Sequence, residues 1–525
     1  MSLYGLFCAV TVGLGGFVFG YDASVISGAI GLVRADFSLS DWEAGFLVGA
    51  PTLAAVLASV AAGTVADLIG RKKVLLVIAF LYVLSGVACV LAPNYGALVA
   101  ARFIGGLAFA SLILAPVYIA EISPAAARGR LVSINQLNIV VGFSAAYFAN
   151  YGLLRLSASH LEWVGRVGLD VAAWRWMLGA EMVPAAMFFL LLFLIPESPR
   201  WLIVRGRVDR GTAIIARLLP EQSDGERTAL INEIKATAHS HEPPFRERLV
   251  QLLAPAVRAA LLIGLIVGVA QQITGVNSVY FYAPVIFEQS GVGTNAAFAQ
   301  AIWVGIINVI FTVVAMMFID RWGRKPLLIV GLAGVFVSMA ACAWGFGHAS
   351  YRLDRSAVER LAPMVETRSL APLIDRPFAN DVEFKRALRD TIGTARARTA
   401  ESALIQAAIQ INPVLVLLGI LGFVASFAVS LGPVMWVMFS EIFPNRLRGL
   451  AISVVGVVNS AVSFLVQVVF PWELSTVGAA WTFMIYGLFA LAGLWLVVLL
   501  VPETRGRSLE QLEDDFARRV STSRT

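Results

Sequence analysis

With 525 residues, the chain is long enough for more than one domain, but 58% hydrophobic and 14% charged residues exclude an ordinary soluble one, which carries about 45–50% apolar and about 25% charged residues. The net charge of +6 does not point to nucleic acid, because the basic residues gather in short loops between apolar runs. Cys8, Cys89 and Cys342 lie in or near apolar segments, which argues against a disulfide framework and against a zinc site. Apolar runs of spanning length, about 20 residues each, fall near 5–31, 43–66, 74–92, 96–120, 131–153, 175–195, 258–289, 295–319, 326–347, 412–440, 450–470 and 479–501. They predict an all-α membrane protein of twelve spans. The first run begins close to Met1 without a basic leader and is interrupted by Asp22, so it reads as an uncleaved span.

The loops divide by charge. One set carries Arg71-Lys72-Lys73, Arg128 and Arg130, Arg321, Arg324 and Lys325, and Arg446 and Arg448; the opposite short loops have only Arg34, Arg155, Arg166 and Arg175. The positive-inside rule places the first set and both termini in the cytoplasm. Asp22, Arg102 and Glu181 are ionisable residues inside apolar runs. A charge at a helix centre costs roughly 2.5–3.5 kcal/mol, so such residues face a polar interior. Counting from the outer ends of spans 1, 4 and 6, all three lie roughly 9–14 Å deep. Two acids and one base at one level point to a proton-handling site in a membrane transporter. A static buried ion pair is the alternative.

The chain repeats itself. Asp67-Leu-Ile-Gly-Arg71-Lys-Lys follows span 2, and Asp320-Arg-Trp-Gly-Arg324-Lys-Pro follows span 8. Glu121-Ile-Ser-Pro-Ala-Ala-Ala-Arg128-Gly follows span 4, and Glu441-Ile-Phe-Pro-Asn-Arg-Leu-Arg448-Gly follows span 10. Pro196-Glu197-Ser ends span 6, and Pro502-Glu503-Thr ends span 12. Two six-span halves are therefore related by a pseudo-two-fold axis along the membrane normal. The expected division is 1–196, a cytoplasmic linker of short helices at 197–257, and 258–525. The interval between the first two motifs is 67 residues longer in the second half, which marks 348–411 as an insert outside the membrane. Gly13-x-Gly15-Gly16 lies within a span and reads as close helix packing, not phosphate binding.

These motifs resemble the sugar porter family of the major facilitator superfamily over nearly the whole chain except 348–411. The resemblance rests on Gly20-Tyr-Asp22-Ala-Ser-Val-Ile-Ser-Gly28, the repeated loops, Pro196-Glu-Ser-Pro-Arg-Trp201, Gln271-Gln272-Ile-Thr-Gly275-Val-Asn277, Gly432-Pro433-Val-Met-Trp436 and Pro502-Glu-Thr-Arg-Gly506. It implies the major facilitator fold and import of a monosaccharide by alternating access. A bacterial proton-coupled member of the family also carries acids at the positions of Asp22 and Glu181, whereas passive members usually lack the first. On this resemblance Asp22 takes up and releases the coupling proton opposite Arg102, with Glu181 tuning the pair or supplying a second site.

A sugar requires side chains that both donate and accept hydrogen bonds, as amides do. Gln136 in span 5, Gln271, Gln272 and Asn277 in span 7, Asn308 in span 8 and Asn459 in span 11 have that chemistry. Taken alone, each serves equally as helix–helix glue; the family pattern turns the first five toward binding. Trp436, after a Gly432-Pro433 break expected in span 10, stacks on the sugar by the same resemblance, or anchors at the interface. Ser460 and Phe143 replace a Trp and a Gln found in xylose-transporting relatives, so the particular sugar stays open. The resemblance further assigns Asp67, Arg71, Glu121, Arg128 and Glu197, with Asp320, Arg324, Glu441, Arg448 and Glu503, to inter-helix salt bridges that close a cytoplasmic gate. No metal, cofactor or catalytic group is implied, and the chain is expected to work as a monomer in the cytoplasmic membrane with sugar, protons and lipid as its partners. The competing readings are a passive sugar uniporter, a transporter-like sugar receptor and, least supported, a membrane enzyme.

Overall fold

The computed structural model describes residues 2–159, 161–238, 245–360, 367–444 and 447–505; Asn445, Arg446 and Gly506 of the quoted motifs lie outside them. Among the described residues, twelve helices are long and apolar enough to cross a membrane. They are span 1 (Leu3–Asp36), span 2 (Asp41–Ile69), span 3 (Arg71–Leu91), span 4 (Tyr95–Ile122), span 5 (Gly129–Ser157) and span 6 (Ala173–Leu192). The second six are span 7 (Val257–Phe281), span 8 (Thr294–Trp322), span 9 (Arg324–Gly347), span 10 (Pro413–Ile442), span 11 (Arg448–Val477) and span 12 (Ala479–Leu500). Between the halves run the short helices Pro199–Val204, Val208–Leu218, Asp224–Ala238 and Phe245–Leu252.

Contacts group the chain into two units. The first comprises Met1–Ala23, Ala50–Ala146 and Leu178–Val250; the second comprises Ser24–Gly49, Tyr147–Met177 and Gln251–Thr525. Within the first unit, glycines bring spans 1 and 5 into backbone contact. A Cβ on Gly20 would stand 2.0 Å from the Ile139 carbonyl oxygen, and one on Gly142 would stand 2.1 Å from that of Phe17. Cβ atoms on Gly13 and Gly16 would meet Asn138 and Asn135 at 2.8 and 2.7 Å, so the glycine run is a helix-packing face.

The second unit therefore includes the ends of spans 1, 2, 5 and 6 that lie away from the basic loops. A Cβ on Gly45 of span 2 would lie 2.1 Å from the Val468 carbonyl oxygen of span 11. Trp42 stacks near Trp472 with ring centres 5.9 Å apart. The Tyr147 hydroxyl of span 5 donates to the Tyr280 carbonyl of span 7 at 2.6 Å.

Among the described residues, spans 4, 6, 7 and 10 are interrupted within their length, and span 11 ends in a π-helical turn at Glu473–Val477. Span 4 tightens into a 3-10 turn at Ala108–Ala110. Span 6 breaks at Ala180 and Glu181, between helices Ala173–Gly179 and Met182–Leu192. Span 7 breaks at Thr274 and Gly275, the glycine in a left-handed conformation with φ +84°. Span 10 breaks at Ser430, two residues before the Gly-Pro pair. Pro433 thus sits in the first turn of the new helix, where its missing N–H leaves no intrahelical bond unmade.

The 348–411 segment is a small folded body. Its ends form an antiparallel pair, Ser350 opposite Gln410 and Tyr351 opposite Ile409. Between them lie helices Arg355–Arg360, Asp381–Ile392 and Thr394–Ala408 and a 3-10 turn at Thr367–Leu373. Tyr351, Leu353, Leu370, Phe384, Leu404 and Ile405 bury a separate core.

Candidate functional site

In the first unit, Asp22, Arg102 and Glu181 are all buried. Arg102 pairs with Asp22 through its Nη1, and its Nη2 donates to the Asp22 carbonyl oxygen at 3.3 Å. Gly105, one turn after Arg102, makes room for the pair: a Cβ there would lie 2.9 Å from Asp22 Oδ2 and 2.6 Å from Ser85 Oγ. Glu181, at the break in span 6, interacts electrostatically with both partners. Asp22 Oδ2, Arg102 Nε and Glu181 Oε1 are buried without hydrogen-bond partners. A buried pair is a poor stability device, and unused polar atoms make it poorer. The arrangement is therefore suited to exchanging a proton: protonating Asp22 removes one charge of the pair and loosens it from Arg102.

In the second unit, the break in span 7 gathers amides. Gln271 Nε2 donates to the Leu431 carbonyl of span 10 at 3.0 Å. Gln272 Nε2 donates to Gln271 Oε1 and Asn459 Oδ1, each at 3.1 Å. Asn459 Nδ2 donates to Gln271 Oε1 at 2.9 Å and to the Gly268 carbonyl at 2.8 Å. Asn277 Nδ2 donates to Gln272 Oε1 at 2.9 Å and Ser463 Oγ at 2.5 Å. Both N–H groups of Gln272, Asn277 and Asn459 are thus engaged, whereas Gln271 retains one. The network joins spans 7 and 11 and leaves a Gln271 donor and several amide oxygens for a ligand. Ser463 and Gln467 extend it, with Gln467 Nε2 donating to Ser463 Oγ at 2.8 Å. Neither was singled out from sequence, although Asn459, Ser463 and Gln467 recur every fourth residue and so share one helix face.

Asn308, buried on span 8, stands outside this hydrogen-bonded network, as does Trp436, which is half exposed and meets Phe439 edge-on with ring centres 5.9 Å apart. Gln136 is half-buried on span 5 in the first unit.

The loop residues form two matching clusters, one in each unit. Arg71 pairs with Glu121 at 3.1 Å and Asp67 at 2.8 Å. Arg324 pairs with Glu441 at 2.7 Å and Asp320 at 3.0 Å. Glu197 and Glu503 differ from the expected salt bridges. They accept backbone amides at the first turns of spans 3 and 9: Lys72 N to Glu197 at 3.0 Å, and Arg324 N and Lys325 N to Glu503 at 3.0 and 3.1 Å. A carboxylate there satisfies orphan N–H groups and favours the helix dipole. Gly70 and Gly323, at φ +103° and +93°, are required because a Cβ would lie 2.3 and 2.7 Å from those carboxylates. Arg448 donates to the Phe443 carbonyl at 3.4 Å, and the Arg128 side chain lies outside the described residues. Ser198 and Thr504 were missed, although each follows the repeated Pro-Glu; their hydroxyls donate to Glu121 and, at 2.6 Å, to Glu441.

Twelve spans in two repeated halves, a buried acid–base pair and amides at a helix break define a secondary transporter. The chain belongs to the sugar (and other) transporter family, the sugar porters of the major facilitator superfamily, whose family model matches residues 8–361 and 396–516. It is 33% identical over 502 residues to an arabinose-proton symporter of Bacillus subtilis, covering 95% of this chain and 92% of the relative. It is 31% identical over 533 residues to the D-xylose-proton symporter of Escherichia coli K12, covering 95% and 93%. An inward-open structure of the xylose transporter XylE from E. coli is similar with a TM-score of 0.74 and 27% identity, covering 97% of this chain and 99% of that one. The break in the family match, 362–395, falls inside the insert.

Proposed function

We propose that the protein is a proton-coupled symporter importing a monosaccharide, a pentose or hexose, across the cytoplasmic membrane. The observation that carries this reading is the buried Asp22–Arg102 pair with Glu181 beside it, an arrangement that passive transport does not need. Relatives named for proton symport of arabinose and xylose support it. The basic loops and both termini face the cytoplasm, the halves 1–196 and 258–525 move about the 197–257 linker, and one monomer is the working unit. Gln136, Gln271, Gln272, Asn277, Asn308, Trp436 and Asn459 hold the sugar. The two loop clusters, each anchored by an arginine and two acids, govern the cytoplasmic gate.

The coupling cycle follows from electrostatics. With Asp22 ionised, its charge is held against Arg102. A proton from outside neutralises Asp22, releases Arg102 and frees span 1 to move with bound sugar; loss of the proton inside resets the pair.

The test is sugar-driven alkalinisation outside intact cells, followed by Asp22→Asn in proteoliposomes. The wild type should take up protons with sugar. The variant should bind sugar in detergent but fail to accumulate it under a pH gradient, and it should be less stable by up to about 3–5 kcal/mol because Arg102 is left unpaired. Sugar uptake without proton movement would make the protein a uniporter. Accumulation by Asp22→Asn would transfer the coupling role to Glu181.

A further inference from the structure

Hydrogen bonds tie the insert to its own half near the ends of spans 7 and 11 and the start of span 12. Buried Lys385 donates to the Leu474 carbonyl near the end of span 11 at 3.0 Å and pairs with Asp381 at 3.0 Å. Asp381 in turn accepts the backbone amide of Ala479, the first residue of span 12, at 3.3 Å. Ser402 donates to Glu288, just beyond span 7, at 2.6 Å. Lys385, Asp381 and Ser402 therefore form a foundation within the second half of the sequence.

Charged residues of the insert reach the other half: Arg398 interacts electrostatically with Glu43 of span 2, and Glu401 faces span 1. Glu401, next to Ser402, pairs at 3.5 Å with Arg34 at the end of span 1. Arg34 also pairs with Asp41 at the start of span 2 at 2.6 Å, and Asp41 accepts the Ser475 hydroxyl of span 11 at 2.5 Å. Glu401 is 20% and Arg34 21% exposed, so their attraction is screened less than that of a surface pair. Alternating access requires the outer ends of spans 1 and 2 to part from spans 7 and 11. A carboxylate fixed to the second half and paired to span 1 opposes that parting.

We propose that the insert is a latch on the outer gate, in which Glu401, held by the Lys385 and Ser402 anchors, stabilises the outward-closed state by gripping Arg34. The inference rests on the alternating-access reading.

Ser27, seven residues before Arg34 on span 1, is 1% exposed, and its hydroxyl has no hydrogen-bond partner, so Ser27→Cys is a mild change. The native cysteines Cys8, Cys89 and Cys342 are buried. Intact cells carrying Ser27→Cys are treated with a membrane-impermeant maleimide, and the labelling rate reports outer opening. Glu401→Gln should raise the rate at least three-fold, and Glu359→Gln, an exposed insert acid, should leave it at the parental value. Glu401→Gln should add nothing once Arg34→Gln is present. Should Glu401→Gln lower the yield of folded protein, Glu401→Asp keeps the charge, shortens its reach and carries the same expectation. Parental labelling in the Glu401 variants, with faster labelling in Asp41→Asn, overturns the latch and leaves alternating access standing. Parental labelling in Asp41→Asn and Arg34→Gln as well overturns both.

Discussion

Gln271 is the amide whose chemistry separates binding from glue. Its side chain accepts from Gln272 and Asn459 yet donates only once, to Leu431, so it keeps an N–H that a sugar hydroxyl can take. Asn459, by contrast, spends both N–H groups on span 7, at the Gly268 carbonyl and Gln271 Oε1. Gln271→Ala should weaken binding of the best substrate by roughly 1–3 kcal/mol, about 5- to 160-fold, with the protein still folded. Calorimetry on purified protein checks this, and an unchanged affinity would remove Gln271 from the site. At this scale the sequence supplied the residue types but not their partners. That Glu197 and Glu503 take helix amides instead of arginines follows from where span 6 and span 12 deliver them.

At the scale of the element, the interrupted helices matter most. Span 7 is divided by Gly275, and the division sets Gln271 and Gln272 on one segment and Asn277 on the next. Alanine at 275 has to adopt φ +84° and place its methyl 2.5 Å from the Tyr486 ring. Gly275→Ala should therefore cost at least about 1–3 kcal/mol of stability, read as a lower melting temperature in detergent. It should also reduce sugar affinity, because the Asn277 to Gln272 hydrogen bond spans the break. A variant with wild-type melting and binding would show that the break tolerates a side chain. The Gly-Val step was visible in sequence, but a glycine inside an apolar run is equally consistent with close packing, as Gly20 and Gly142 demonstrate in spans 1 and 5.

For the whole molecule, the insert offers a clean excision. It enters and leaves through one antiparallel pair, with Tyr351 opposite Ile409, so removing 352–408 requires only a short turn to rejoin the chain. The shortened protein should insert and transport, since Tyr147 and Ser475 still make their contacts across the same ends of the spans. It should melt lower, because the Leu474 carbonyl loses the Lys385 donor and the Ala479 amide loses Asp381. Each lost partner costs about 1–3 kcal/mol if the group stays buried. Uptake in cells and a thermal melt check both, and loss of all uptake would show the insert to be integral to transport.

The sequence by itself determined the twelve spans, because hydrocarbon admits only backbones that satisfy their own hydrogen bonds and are long enough to cross. It also determined the repeat, since the motifs are written out twice, and it marked Asp22, Arg102 and Glu181, because a charge inside an apolar run is costly enough to need a reason. The depth count showed only that these three could meet; the tertiary structure decided that Asp22 and Arg102 are partners and that Gly105 clears the space for them. It alone decided that Ser463 and Gln467 join the amides, that distant glutamates cap spans 3 and 9, and that the insert touches span 1. Hydropathy and spacing act along one chain segment at a time. A partner that is 80 or 367 residues away, as Arg102 is from Asp22 and Glu401 from Arg34, is fixed only when the spans pack.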